Sequence, residues 1–87
     1  MAKITIEGFV SGVRESKGTV LGAGVVDWLD FRVSEKVGEY GLSCRVMADR
    51  GEGQVLEGNL VTFESDLAAF RSKAGNNFVV AYVRQWV

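Results

Sequence analysis

Five segments rich in β-branched and aromatic residues follow one another along this chain, separated by glycine and aspartate, and the chain contains no proline. The segments are residues 4–13, 25–37, 40–48, 59–67 and 78–87. Each tends to alternate apolar with polar residues, which is the pattern of a strand with one buried face. Five strands in 87 residues predict an all-β fold, either a small barrel or a compact open sheet.

The connections between these segments are short and rich in glycine. Gly8 interrupts the first segment and permits a bulge or a bend, as in a long strand that coils round a barrel corner. Composition predicts a mobile loop at residues 14–24 and a hairpin connection at residues 37–41. It also predicts a turn at residues 49–53 that ends the third strand, a single helical turn at residues 54–57 and a second loop at residues 68–77.

The length of 87 residues predicts one domain covering residues 1–87. A chain of this size buries only about 60% of its unfolded surface, so the core is thin and we predict a homodimer. No apolar run approaches the roughly 20 residues that span a membrane, and the N-terminus lacks the apolar core of a signal peptide. With a single cysteine, we expect a cytoplasmic protein without a membrane partner.

The residue types that most enzymes need are scarce. Histidine is absent and Cys44 is the single cysteine, which excludes a Cys/His zinc site and a Cys–His nucleophile within one chain. No glycine pattern matches a phosphate-binding loop. We therefore predict a protein that is not an enzyme and has no cofactor, metal or small-molecule substrate. A catalytic pair among the eleven carboxylates is the remaining enzymatic alternative.

Alternation within the second and third segments places Trp28, Arg32, Ser43 and Arg45 on one outward face. We expect these strands to be antiparallel neighbours, so the four side chains lie close together. An indole can stack on a base, while each arginine contacts a phosphate or stacks on another base. Alternatively, Trp28 packs against a second copy of the chain and the arginines pair with Asp30 and Glu35.

Other aromatic and basic residues extend this candidate nucleic-acid-binding set. They are Phe70, Arg71 and Lys73 on the predicted second loop, Tyr82 and Arg84 on the last strand, and Arg14 and Lys17 on the first loop. Trp86 could equally belong to the core or to a dimer interface. The net charge of −1 and the pI of about 5.3 argue against nucleic acid, but binding depends on where the charges lie.

Three stretches resemble bacterial single-stranded DNA-binding proteins of the oligonucleotide/oligosaccharide-binding (OB) fold. Residues 27–34 (DWLDFRVS) are similar to the second strand of that family, and residues 43–46 (SCRV) resemble the third. Residues 58–67 (GNLVTFESDL), with 75–78 (GNNF) downstream, are similar to the fourth strand and the following hairpin. The family's stacking tryptophan on the third strand would fall near Ser43, and this chain lacks it.

In size the chain looks most like the small dimeric DNA-binding proteins of filamentous phages. The resemblance implies a five-stranded antiparallel OB-fold barrel that binds single-stranded DNA without sequence specificity and protects it during replication in the host cytoplasm. RNA is an open alternative to DNA. The rival function is a protein-interaction module that binds a peptide or partner protein, and a third is a structural subunit whose outer aromatics are buried by oligomerisation.

Overall fold

The computed structural model describes residues 2–36 and 41–87, and most of them lie in strands. The strands are β1 (Ala2–Val20), β2 (Gly24–Ser34), β3 (Leu42–Met47), β4 (Leu60–Arg71) and β5 (Asn77–Trp86). A single helical turn, α1 (Ala48–Gly51), connects β3 to β4. The prediction of a five-stranded, nearly all-β chain is confirmed. None of the described helical residues forms a helix long and apolar enough to cross a membrane.

The five strands form one mixed sheet in the order β1-β2-β3-β5-β4, and β4 pairs back with β1, so the sheet closes into a ring. Every neighbouring pair is antiparallel except β3 and β5, which run parallel. The expectation of an antiparallel sheet is therefore wrong at this pair. The reason is geometric, because strand direction cannot alternate all the way round a ring with an odd number of strands.

Strand β1 is nineteen residues long and pairs with two partners in succession. Its first part pairs with β4 as far as Phe9, and the rest pairs with β2 as far as Val20. The register with β2 shifts just after Ser11, next to Gly12, whose φ of 63° lies in the left-handed region that favours glycine. The predicted irregularity thus lies at Gly12 rather than at Gly8.

Gly8 has a different structural role. A Cβ atom at this position would lie 2.6 Å from the carbonyl oxygen of Ser34 and 2.6 Å from Cγ1 of Val33. The glycine is buried, and it lets β1 approach the end of β2 more closely than any side chain would permit.

The two predicted loops at residues 14–24 and 68–77 are shorter than expected, because the flanking strands extend into both. Residues 14–20 of the first belong to β1, which leaves the β1–β2 turn at residues 21–23. Residues 68–71 of the second belong to β4, so this turn covers residues 72–76. Composition underestimates the length of the strands in both hairpins. Segments rich in Gly, Lys and Ser form strands there because they make hydrogen bonds to a neighbouring strand.

The remaining connections also differ from expectation. The helical turn lies at residues 48–51, where a turn ending β3 was predicted, and residues 54–57 are not helical. Val55 in that segment is buried and belongs to the core. The predicted β2–β3 hairpin connection falls mostly on residues 37–40, which lie outside the described residues, but the antiparallel pairing of β2 with β3 is confirmed.

The core inside the ring is small and almost entirely aliphatic and aromatic. Alternation of apolar and polar residues along β2, β3 and β4 predicts which side chains point into the core. This prediction is confirmed for the side chains that are most buried. The buried hydrophobic side chains among the described residues are Val10, Phe31, Val33, Cys44, Val46, Val55, Val61, Phe63 and Ala81.

Trp86 belongs to this core and not to the outer face of β5. The β4–β5 register shifts by one residue around Arg84, which reverses the direction of the side chains that follow. The Trp86 ring consequently packs edge-on against Phe63, with ring centroids 5.4 Å apart. Its Nε1 donates a hydrogen bond of 2.7 Å to the carbonyl oxygen of Arg50, so the polar atom of the indole is also satisfied.

We predict that Gly8→Ala destabilises the fold by about 1–3 kcal/mol, because an added methyl group overpacks the contact with the Ser34 carbonyl. Urea unfolding followed by tryptophan fluorescence measures the change. Thr5→Ala, on an exposed site of the same strand, is the control and should change stability by no more than about 0.5 kcal/mol. Equal effects of the two substitutions would contradict the assigned close approach.

Candidate functional site

An open groove of about 640 Å³ crosses the outer surface of the closed sheet. It runs from β1 over β2 and β3 to the hairpin formed by β4 and β5. We call this the transverse groove. Its lining residues are Gly12, Val13, Arg14, Asp30, Phe31, Arg32, Ser43, Cys44, Arg45, Phe70, Phe78, Val80 and Tyr82.

One end of the transverse groove is positively charged. Cross-strand pairing brings Arg14 of β1 opposite Asp30 of β2, and Asp30 opposite Arg45 of β3. Arg32 lies one step along β2, opposite Ser43. Three guanidinium groups against one carboxylate give the lining a net charge of +2, in a chain whose net charge is −1. The rest of the molecule therefore carries a net charge of −3.

The other end of the groove is aromatic. Phe70 and Phe78 face each other across the β4–β5 hairpin with ring centroids 5.4 Å apart and an interplanar angle of 23°. Both rings are solvent-accessible, 40% and 47% exposed. Tyr82 contacts Phe70 edge-on at 6.4 Å and Trp28 at 6.2 Å. The four rings thus form a continuous row from the hairpin to β2.

Asp30 and Arg45 form a two-point ion pair in the middle of the charged end. Arg45 Nε donates to Asp30 Oδ1 at 2.6 Å, and Nη2 donates to Oδ2 at 3.3 Å. Burial alone would raise the pKa of Asp30, but the hydrogen bonds from Arg45 and the charges of Arg45 and Arg14 outweigh it and lower that pKa. The hydrogen bond to Asp30 in turn raises the pKa of Arg45. Both groups are therefore charged at neutral pH.

Trp28 lies beside the transverse groove and does not line it. Its indole packs on the backbone of Gly18 in β1, and a Cβ atom at that position would lie 2.9 Å from the indole Nε1. Arg45 Cζ lies over the Trp28 ring, 5.5 Å from its centroid. The ring is half-buried by these contacts and by Tyr82, so it is less available to a ligand than the alternation pattern predicts.

The structure brings together six of the predicted binding residues and leaves five outside the groove lining. Those that line it are Arg14, Arg32, Ser43, Arg45, Phe70 and Tyr82; the others are Lys17, Trp28, Arg71, Lys73 and Arg84. Lys17 pairs with Asp27 at 3.0 Å on the exposed part of the β1–β2 hairpin. Arg84 pairs with Asp66 at 3.3 Å. Arg71 and Lys73 are exposed, at the end of β4 and in the turn after it.

Sequence reasoning missed Phe78, Val80 and Asp30 as members of the site. The signal for the first two was present, because alternation along β5 already placed them on the same face as Tyr82. Asp30 was considered only as an alternative partner that would withdraw an arginine from binding. Its position in the groove lining follows from the β1–β2–β3 register, which the sequence does not reveal.

The site offers little for covalent or metal chemistry. Within residues 2–36 and 41–87, no cluster of three or more cysteine or carboxylate side chains is arranged to hold a metal ion. Burial raises the pKa of the Cys44 thiol to about 12, so the reactive thiolate is scarce at neutral pH. What the groove provides is charge, exposed aromatic surface and hydrogen-bond donors.

Comparisons with protein-family models, curated proteins and solved structures found no match to this chain.

Proposed function

We propose that this protein binds single-stranded nucleic acid, DNA in the first instance, in the transverse groove and largely without sequence specificity. The observation that carries this proposal is the division of one groove into an arginine-rich end and a row of exposed aromatic rings. Phosphates need cations and unpaired bases need flat apolar faces, and nonspecific single-strand binders combine the two. Covering a single strand in this way would protect it during replication.

The strand order supports a proposal that the fold is an OB-fold barrel. In that fold, the face of the second and third strands binds oligonucleotides together with the loops that join strands 1 to 2 and 4 to 5. The transverse groove shares much of that surface, since β2 and β3 form its floor and the strands of the β4–β5 hairpin one wall, while the β1–β2 turn lies outside it. The placement of the groove therefore agrees with the proposed ligand.

A protein-interaction module remains the second candidate function. The apolar side chains of Val13, Phe70, Phe78 and Val80 in the lining would also suit an extended peptide. Salt distinguishes the two ligands, because phosphate binding releases counterions and an apolar peptide contact does not.

We predict that oligo-dT binds saturably and quenches tryptophan fluorescence. The reason is that Trp28 contacts Arg45 and Tyr82, which both line the groove. The logarithm of the binding constant should fall with the logarithm of salt concentration by about 0.7 per phosphate contact. Titrations at about 50 and 200 mM salt give this slope. Duplex DNA of the same length is the control and should bind more weakly. Its bases are paired and stacked on one another, so they cannot stack on the aromatic rings of the groove. Absence of saturable oligo-dT binding at the lower salt would overturn the proposal and favour the peptide module.

We predict that Arg32→Ala weakens oligo-dT binding and reduces the salt slope by about 0.7, because it removes one phosphate contact. Lys3→Ala removes the same charge from an exposed site on β1 outside the groove and should leave the slope unchanged. Thermal unfolding of both variants checks that the fold is retained. An unchanged slope in Arg32→Ala would assign Arg32 a structural role.

We further propose that the protein is a homodimer. The outer part of the β1–β2 hairpin pairs with no other described strand, and its apolar residues Leu21 and Val25 are 102% and 69% exposed. Such a two-stranded ribbon is marginally stable by itself and exposes surface that a second copy would cover.

Light scattering at micromolar concentration is expected to give about twice the chain mass of 9.5 kDa. The double substitution Leu21→Ser, Val25→Ser should shift the protein towards the monomer without unfolding it, because both side chains are exposed. A wild-type chain that remains a 9.5 kDa species would contradict the dimer.

A further inference from the structure

The guanidinium group of Arg45 is held on one edge and lies over the Trp28 ring. Its Nε and Nη2 atoms are directed at the two carboxylate oxygens of Asp30, at 2.6 and 3.3 Å. Its Cζ lies 5.5 Å from the centroid of the Trp28 ring. A two-point contact along one edge restricts both the position and the plane of a guanidinium, and the indole adds a second contact to the same group.

Arg45 belongs to the groove lining, whereas Trp28, which it contacts, does not. A ligand in the groove can therefore reach the guanidinium without contacting the indole. The side chain is one-third exposed, which leaves room for such a contact. Tyr82, directly opposite Arg45 in the β3–β5 register, continues the row of planar groups towards the phenylalanines.

The charge of Arg45 is largely compensated where it stands. Asp30 also lines the groove, so a phosphate approaching Arg45 would be repelled by the adjacent carboxylate. Two of the five N–H donors of the guanidinium are already directed at Asp30. Arg45 therefore contributes little to the net positive charge of the groove.

We propose that Arg45 is a base-stacking plate and not a phosphate contact, with Asp30 and Trp28 as the positioning residues that hold its plane. This inference rests on the proposed function, since it concerns how the same groove binds a single strand. A planar guanidinium stacks on bases much as an aromatic ring does. The row of flat groups in the groove thus extends from Phe78 through Tyr82 to Arg45.

Substitutions of Arg45 separate stacking from phosphate binding. We expect Arg45→Ala combined with Asp30→Asn, which keeps the net charge of the groove lining at +2, to weaken binding of fluorescently labelled oligo-dT about tenfold, as measured by anisotropy, with the salt slope unchanged. Arg45→Lys should lose nearly as much, because lysine keeps the charge but has no plane. Arg84→Lys makes the same change of side chain outside the groove lining and is the matched control, which should bind as tightly as the wild type.

Substitution of Asp30 tests the charge compensation. Asp30→Asn should steepen the salt slope by about 0.7, because it uncovers one positive charge in the groove. Asp27→Asn makes the same change of charge on the same strand, but its partner Lys17 lies outside the groove, so the slope should stay as in the wild type.

The role of Trp28 is tested by a double-mutant cycle. If the indole acts through Arg45, then Trp28→Ala combined with Arg45→Ala should bind no more weakly than Arg45→Ala by itself. Trp28→Phe should restore most of the affinity lost in Trp28→Ala, since a flat ring is again present beneath the guanidinium. Additive losses would show that Trp28 contacts the ligand independently and would overturn its assignment as a positioning residue.

The stacking plate is overturned if the Arg45→Ala, Asp30→Asn double variant reduces the salt slope by about 0.7 while Arg45→Lys retains affinity. It is equally overturned if Arg45→Ala, folded by circular dichroism, binds as tightly as the wild type. Both results leave oligo-dT binding by the wild-type protein intact. Failure of the proposed function is a separate outcome, in which the wild-type protein itself does not bind oligo-dT.

Discussion

The double pairing of β1 is the constraint on which the rest of this structure depends. One strand pairs with β4 through its first part and with β2 through the remainder, so the sheet closes and its central backbone groups find partners on both sides. Closure of five strands forces one parallel pair, which is β3 with β5. That pair sets Arg45 directly beside Tyr82, and so it joins the arginine-rich end of the groove to the aromatic end.

The distribution of charge matters more here than its sum. A net charge of −1 and a pI of about 5.3 would place this chain among proteins that avoid nucleic acid. The groove nevertheless has a net charge of +2, because cross-strand register gathers Arg14, Arg32 and Arg45 around one carboxylate. Electrostatic attraction is screened beyond about 10 Å, so a ligand in the groove responds mainly to these local charges.

The Asp30–Arg45 pair illustrates how a protein can use a charge for geometry. A partly buried ion pair contributes little net stability, because desolvation offsets much of the attraction, but it fixes two side chains in one arrangement. The lowered pKa of Asp30 means that the pair stabilises the folded state at neutral pH. This contribution is lost only as the pH falls through that lowered pKa. At physiological pH the plane of Arg45 is therefore held steadily.

The sequence by itself determined the all-β class, the number of strands and most inward positions, because alternation depends only on which residues avoid water. It also indicated Phe70, Tyr82 and the three arginines as candidates for binding. It did not determine that β1 reaches Val20, that Trp86 turns inward, or that Asp30 lies within the groove. Those features depend on register shifts at Gly12 and Arg84 and on which strands become neighbours. Only the tertiary structure decides them, because a register shift of one residue reverses the direction of every side chain that follows. The free-energy cost of such a shift depends on side-chain packing throughout the closed sheet.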